Sequence, residues 1–142
     1  MRNDLLINGV DMYESGVSMG KGFIDALEAF DAFKDDIEND SALEDGRRMV
    51  LSERLASREV TLTFVVWGAY GFRERLEAFR ALLLTRKLTV KTGFSERRYR
   101  LIYTGRSATF SHGVHSCRIA AKFVEPDPTD RGEAPTNPLF GI

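Results

Sequence analysis

Three side chains of this sequence have the donor chemistry of a metal site or a nucleophilic pair: His112, His115 and Cys117. Imidazole nitrogen and thiolate sulfur are zinc ligands. A tetrahedral site takes four of them, and structural sites usually pair ligands from two separate segments. The chain has 2 histidines and 1 cysteine, so the set stops at three, all in one short stretch. The spacing suits a turn histidine followed by a histidine and a cysteine packed on one face of a strand. The same pair could act as base and nucleophile, but no orienting partner or cleft-forming motif accompanies it. Gly16-Val-Ser-Met-Gly20-Lys21-Gly22 has neither the spacing nor the hydroxyl of a phosphate-cradling loop, and reads as a turn. Asp35, Asp36, Glu38, Asp40, Glu44 and Asp45 offer carboxylates, without the alternating spacing and central glycine of a calcium loop. Arg97, Arg98, Arg100 and Arg106, interleaved with Tyr99 and Tyr103, are the best nucleic-acid signal, since basic strands with aromatics can stack bases. Yet Tyr99, Leu101 and Tyr103 alternate as any half-buried strand does, and no ribonucleoprotein-type run is present. The sequence therefore predicts no catalysis, no metal, no cofactor and no specific nucleic-acid partner.

Charge points elsewhere. The net charge is −1, but residues 1–45 hold 3 basic against 12 acidic side chains. Residues 46–122 hold 16 against 5, and residues 123–142 hold 1 against 4. An acidic head, a basic middle and an acidic tail are complementary surfaces, and contacts between unlike charges form fast and specifically. Complementarity of this kind can join copies, or be satisfied within one chain. A single cysteine excludes an internal disulfide and suits a reducing compartment. No apolar run approaches the roughly 20 residues of a membrane helix, nor is there a signal-peptide pattern, so a soluble protein made in the cytoplasm is expected.

The elements that would carry these surfaces follow from periodicity. Leu5–Ile7 and Val10–Tyr13 flank Asn8-Gly9, the dipeptide of a two-residue hairpin turn. A short strand is expected near Val17–Met19. Phe23, Leu27, Phe30, Phe33 and Ile37 recur at helical spacing, with a packed loop as the alternative. Residues 47–58 read as basic and irregular apart from an apolar patch at Met49–Leu51. Residues 59–67 alternate as a strand, with Val60, Leu62, Phe64 and Val66 on one face. Phe72, Leu76, Phe79 and Leu83 make the clearest helix, over 72–84. A hairpin of Leu88–Thr92 and Tyr99–Thr104 follows, then a loop over Gly105–Gly113 and a strand over Val114–Val124. All four prolines fall in the last 18 residues, which predicts one domain over 1–125 and an extended tail over 126–142. Segregated strands with few helices predict an α+β fold, an antiparallel β-sandwich or barrel flanked by one main helix and an N-terminal β-hairpin.

This order of segments resembles a family. The strand Arg58-Glu-Val-Thr-Leu-Thr-Phe-Val-Val-Trp-Gly68 enters the helix Phe72–Leu84. The hairpin with Tyr99-Arg-Leu-Ile-Tyr-Thr104 follows, and a last strand runs into Phe123-Val-Glu-Pro-Asp-Pro128. The chain looks like the N-terminal, ring-forming domain of tailed-phage distal tail proteins and their tail-tube and baseplate-hub relatives. Residues 34–48 look like the segment before that strand in prophage-encoded versions. The resemblance covers about residues 5–128. It implies a structural virion protein in the tail, partnered by itself in a six-fold ring and by other tail proteins, without enzymatic activity. Many distal tail proteins continue into a second, carbohydrate-binding-like domain. A chain that stops soon after Pro-Asp-Pro fits a plain tube, hub or connector role. The self-association surface is expected to pair Asp35, Asp36, Glu38 and Asp40 with Arg47, Arg48, Arg54 and Arg58, or with Arg97, Arg98, Arg100 and Arg106, of the next copy. The alternatives are a small-ligand-binding or enzymatic α+β barrel, which needs a deep pocket, and a nucleic-acid module, which needs a basic face around Tyr99 and Tyr103.

Overall fold

The computed structural model describes residues 4–30, 37–39, 48–50 and 56–132, the two short middle segments by their backbone. The fold is α+β. Seven strands form one antiparallel sheet: β1 (Leu5–Ile7), β2 (Val10–Asp11), β3 (Val17–Met19), β6 (Arg58–Trp67), β7 (Lys87–Thr92), β8 (Tyr99–Phe110) and β9 (Ser116–Glu125). They lie in the order β2-β1-β7-β8-β9-β6-β3. A separate two-stranded ladder joins β4 (Ile37–Asn39) to β5 (Arg48–Val50). Helix α1 covers Phe23–Leu27 and α2 covers Phe72–Leu84.

The two outer strands of the sheet, β2 and β3, are neighbours in sequence. A flat seven-stranded sheet would hold its edges about 29 Å apart. From Asp11 to Val17 even a fully extended chain reaches only about 20 Å. The sheet must roll, and Val17 N–H closes the turn onto Met12 O at 3.1 Å. The expected barrel-like curvature thus has a covalent cause. The hairpin turn that starts the roll is Asn8-Gly9, with φ 55° and 83°, the double positive φ of a type I′ turn.

Rolling puts the period-2 apolar sets on the inside. Val60, Leu62, Phe64 and Val66 of β6 face Cys117, Ile119, Ala121 and Phe123 of β9, all buried. Helix α2 lays Phe72, Leu76, Phe79 and Leu83 over them. Phe64 sits at the centre, 5.2 Å from the Phe23 ring, 5.0 Å from Phe79 and 6.2 Å from Phe123. Edge-on and tilted rings at these distances add to area burial.

Three expectations change. The helix read from Phe23 to Ile37 ends at Leu27: Phe30 is fully exposed, and Ile37 lies in β4. No side chain caps the start of α1, and a five-residue helix makes few intrahelical bonds, so packing of Phe23 and Leu27 sets its extent. Met49 and Val50, read as an apolar patch in an irregular stretch, belong to β5. Gly105–Phe110, read as loop, continues β8. There Thr104, Gly105 and Arg106 stand opposite the single residue Lys122, between the pairs Tyr103–Phe123 and Ser107–Ala121. Gly105, at φ 87°, makes this bulge, and Thr104 Oγ1 donates to Lys122 O at 2.8 Å.

Gly16 tests the roll. Its φ is 70°, it accepts the Trp67 N–H, and an added Cβ would meet Trp67 O at 2.3 Å. Gly16→Ala is expected to cost about 2 kcal/mol or more, from left-handed strain and the clash. Urea unfolding measures this, and Gly9→Ala, with open space around the added carbon, is the milder control.

Candidate functional site

The residues singled out for chemistry do not converge. His115 lies before β9 rather than in it and is exposed, while Cys117 is fully buried on the inner face. The expected shared face of this pair is therefore lost at the strand's first residue. Burial pushes the Cys117 thiol above its ordinary value, with the Arg80 charge pulling weakly the other way. A protonated, enclosed thiol is a poor nucleophile and a poor ligand. His112 stacks edge-on against Phe72 at 5.9 Å. Among the described residues no group of three His, Cys, Asp or Glu could hold a metal. Tyr99 and Tyr103 are 1% and 6% exposed, so neither ring is available to stack a base. No helix of the described residues is long and apolar enough to cross a membrane.

The arginines have intramolecular work. Arg100 Nη1 bonds Asp130 O at 3.0 Å and Gly132 O at 3.2 Å, and pairs with Asp130 Oδ1 at 3.2 Å. Arg98 is half-buried and donates its backbone N–H to Arg131 O at 2.8 Å. Arg97 is exposed on the β7–β8 turn. Asp35, Asp36, Asp40, Arg47 and Arg54 lie outside the described residues, and Glu38 and Arg48 are placed by backbone only, in β4 and β5. Glu38 stands opposite Met49, and Arg48 opposite Asn39, on that ladder.

The residue that organises this end of the molecule is Glu125, which in the sequence stands only as part of the run into Pro-Asp-Pro. It continues the inward alternation of Cys117, Ile119, Ala121 and Phe123, and has no solvent exposure. Arg58 holds the corresponding inward place on β6 and is its cross-strand partner. Arg58 Nε bonds Glu125 Oε1 at 2.7 Å. Arg131 binds the same carboxylate twice, Nε to Oε2 and Nη2 to Oε1, each at 2.7 Å. The Arg58 guanidinium also reaches Ala26 O at 3.2 Å and Leu27 O at 2.6 Å, the carbonyls left open at the end of α1. Both cations lie over the Tyr99 ring, at 5.7 Å and 4.9 Å, and the buried Tyr99 hydroxyl has no hydrogen-bond partner among the described residues. One carboxylate thus ties together β6, α1, β8 and residues 126–132, the described part of the segment beyond β9.

The opposite end is apolar and open. The β6–α2 and β8–β9 loops bring Tyr70 (91% exposed), Val114 (80%) and Trp67 (53%) to the surface. Between the start of β1 and β3 lies a cleft of about 660 Å³, lined by apolar Leu5, Val17, Met19 and Trp67 and by polar Asp4 and Glu14. Its one basic side chain, Arg75, donates from Nη1 to Trp67 O at 2.8 Å. The cleft is the mouth left where the rolled sheet fails to close.

No family model matches the chain, and no curated protein matches it. A crystal structure of the Dit protein of phage SPP1 is similar at a TM-score of 0.56 and 18% identity. That protein is described as a paradigm of the hub adsorption apparatus in phages that infect Gram-positive bacteria. The match covers 88% of this chain and 50% of the other, so this chain spans half the length of its structural neighbour.

Two measurements check the assignments at this site. Glu125→Ala leaves two enclosed cations without their anion and is expected to cost about 3–5 kcal/mol in urea unfolding. Cys117 is expected to resist a disulfide-exchange reagent in the native chain and to react fully once denaturant unfolds it.

Proposed function

We propose that the chain is a structural subunit of a phage tail, of the distal-tail or hub type, assembling with copies of itself and with other tail proteins. The observation that carries this reading is the rolled sheet with its covering helix, shared over 88% of the chain with a phage hub protein. Surface chemistry supports it: large exposed apolar side chains lie at separated places, among them Val10, Phe30, Tyr70 and Phe94. The β4–β5 ladder, built apart from the main sheet, supplies a second element for contact. Two strands alone are marginal in water, and a neighbouring copy is a surface on which such a ladder gains stability.

In this proposal the subunits form a ring of six copies in the virion tail. Asp35, Asp36, Glu38 and Asp40 of one copy meet Arg47, Arg48 and Arg97 of the next. Arg98 and Arg100 serve this contact less, because Arg100 is committed to Asp130 and Arg98 is half-buried. Head-to-tail contacts between unlike surfaces close into rings when the rotation permits. Exposed ion pairs contribute about 0–1 kcal/mol each, so apolar contacts carry most of the affinity and charge sets the partner.

Light scattering and negative-stain microscopy of concentrated protein test the proposal. Rings are expected, with a mass that falls as salt rises. Reversing Asp35 and Asp36 to Lys is expected to abolish them, and adding Arg97→Glu to restore part of the assembly. A single-copy mass at every salt concentration, with no rings, contradicts the proposal.

A further inference from the structure

The distal half of β8 is an open sheet edge. β7 accompanies β8 only along Tyr99–Ile102. The last bond on that side runs from Tyr103 N–H to Arg86 O, at the turn between α2 and β7. The bulge at Thr104–Arg106 then carries the strand onward beside β9 alone, through the pairs Ser107–Ala121 to Phe110–Arg118. Every residue from Gly105 to Phe110 is exposed, and among the described residues none of this stretch makes a backbone–backbone bond on the outer side, the Arg106 N–H donating instead to Thr104 Oγ1 at 3.2 Å. Such an edge is a template for another strand. Native edges are blunted by proline, lysine, inward charge or brevity. Here the bulge and Arg106 come before a clean stretch of Ser107-Ala-Thr-Phe110.

The two ends of this edge are set by backbone conformation. Gly105 at φ 87° and Ser111 at φ 53° both leave the extended region, so the usable segment is 106–110. Its centre is Ala108. Two antiparallel copies of the segment related by a two-fold axis keep all five residues in register only when Ala108 faces Ala108. That register sets Ser107 opposite Thr109 and Arg106 opposite Phe110, twice each. It places no like charges in opposition, brings small side chains together at the axis, and puts a cation beside an exposed aromatic ring at both ends. Shifting the centre to Ser107 or Thr109 draws Gly105 or Ser111 into the ladder, where their positive φ breaks it.

We propose that two copies of this chain pair edge to edge along Arg106–Phe110, about a two-fold axis at Ala108, making one continuous sheet. The contact is isologous and stops at two copies, so it is separate from the head-to-tail contact of a ring and does not depend on it. Its occupant is the same segment of a second chain, because the segment is complementary to itself in length, charge and side-chain size.

Cysteine cross-linking in the full chain tests the register directly. Ala108→Cys is expected to give a disulfide-linked pair as the main species under mild oxidation, because directly opposed strand residues lie within bonding reach. The parent chain, whose Cys117 is fully buried, is expected to give none. Phe110→Cys alone is also expected to give none, since its mate lies several residues away along the ladder. A mixture of Arg106→Cys and Phe110→Cys chains is expected to link to each other. Ala108→Lys, at an exposed position, is expected to weaken pairing at least ten-fold while leaving the unfolding midpoint near that of the parent. The proposal is overturned if Ala108→Cys links no faster than Phe110→Cys, or if Ala108→Lys associates as the parent does.

Discussion

A carboxylate without solvent, held between two guanidinium groups, fixes the geometry of this chain. Glu125 is the last residue of β9 and Arg58 the first of β6, and these strands form the longest ladder of the sheet. Moving a carboxylate out of water is costly unless its oxygens are filled, and three bonds of 2.7 Å fill them. The arginines carry one more positive charge than the glutamate supplies. The carbonyls of Ala26 and Leu27 accept the remaining Arg58 donors, and the Tyr99 ring offers both cations a π face. From this knot the chain leaves in set directions: into α1, into the long ladder, and along residues 126–132 beneath the β7–β8 hairpin. The fork of arginine matters: Arg131 grips both carboxylate oxygens at once, and Arg58 reaches one of them together with two helix-end carbonyls, spreads that a point-like ammonium does not match.

Much of this was readable from periodicity. The type I′ turn at Asn8-Gly9, the strand from 59 to 67 and the helix over 72–84 are each specified by residues that act locally, and each is where the sequence puts it. The misreadings occur where tertiary contacts decide. Phe30 and Ile37 keep helical spacing with Phe23, but α1 ends where Arg58, thirty positions on, takes its last carbonyls. Gly105 reads as the start of a loop because a glycine with hydroxyls around it usually is one. Its role in a bulge depends on Lys122 across the ladder. Glu125 itself was in plain view, since it extends the inward set of Cys117, Ile119, Ala121 and Phe123 by one more step of two. What hid it was Pro126, which makes the stretch look like the start of a tail. The signal for Arg131 was fainter: it is the only basic residue among the last 20.

The charge partition takes a different meaning from the structure. Part of the complementarity between basic middle and acidic tail is satisfied inside one chain, by Arg58 with Glu125 and by Arg100 with Asp130. The exposed apolar residues Phe30, Tyr70 and Val114 and the outer side of β8 are what the proposed contacts with other chains would draw on. A body tied at one end by an ion cluster and covered by α2 can present its loops and sheet edge at fixed positions. A rigid surface loses little entropy on contact, which is what the proposed assembly would use.

The central claim is that one carboxylate couples β6, α1, β8 and residues 126–132, and amide hydrogen exchange in Arg131→Met tests it most directly. The amides of Arg98, Asp130 and Glu28 bond Arg131 O, Asp127 O and Ile24 O respectively. The account predicts that all three lose protection together, while Leu62 and Ile119 in the central ladder keep theirs. Loss at Arg98 and Asp130 with Glu28 unchanged would contradict it, because α1 would then be held independently of the knot.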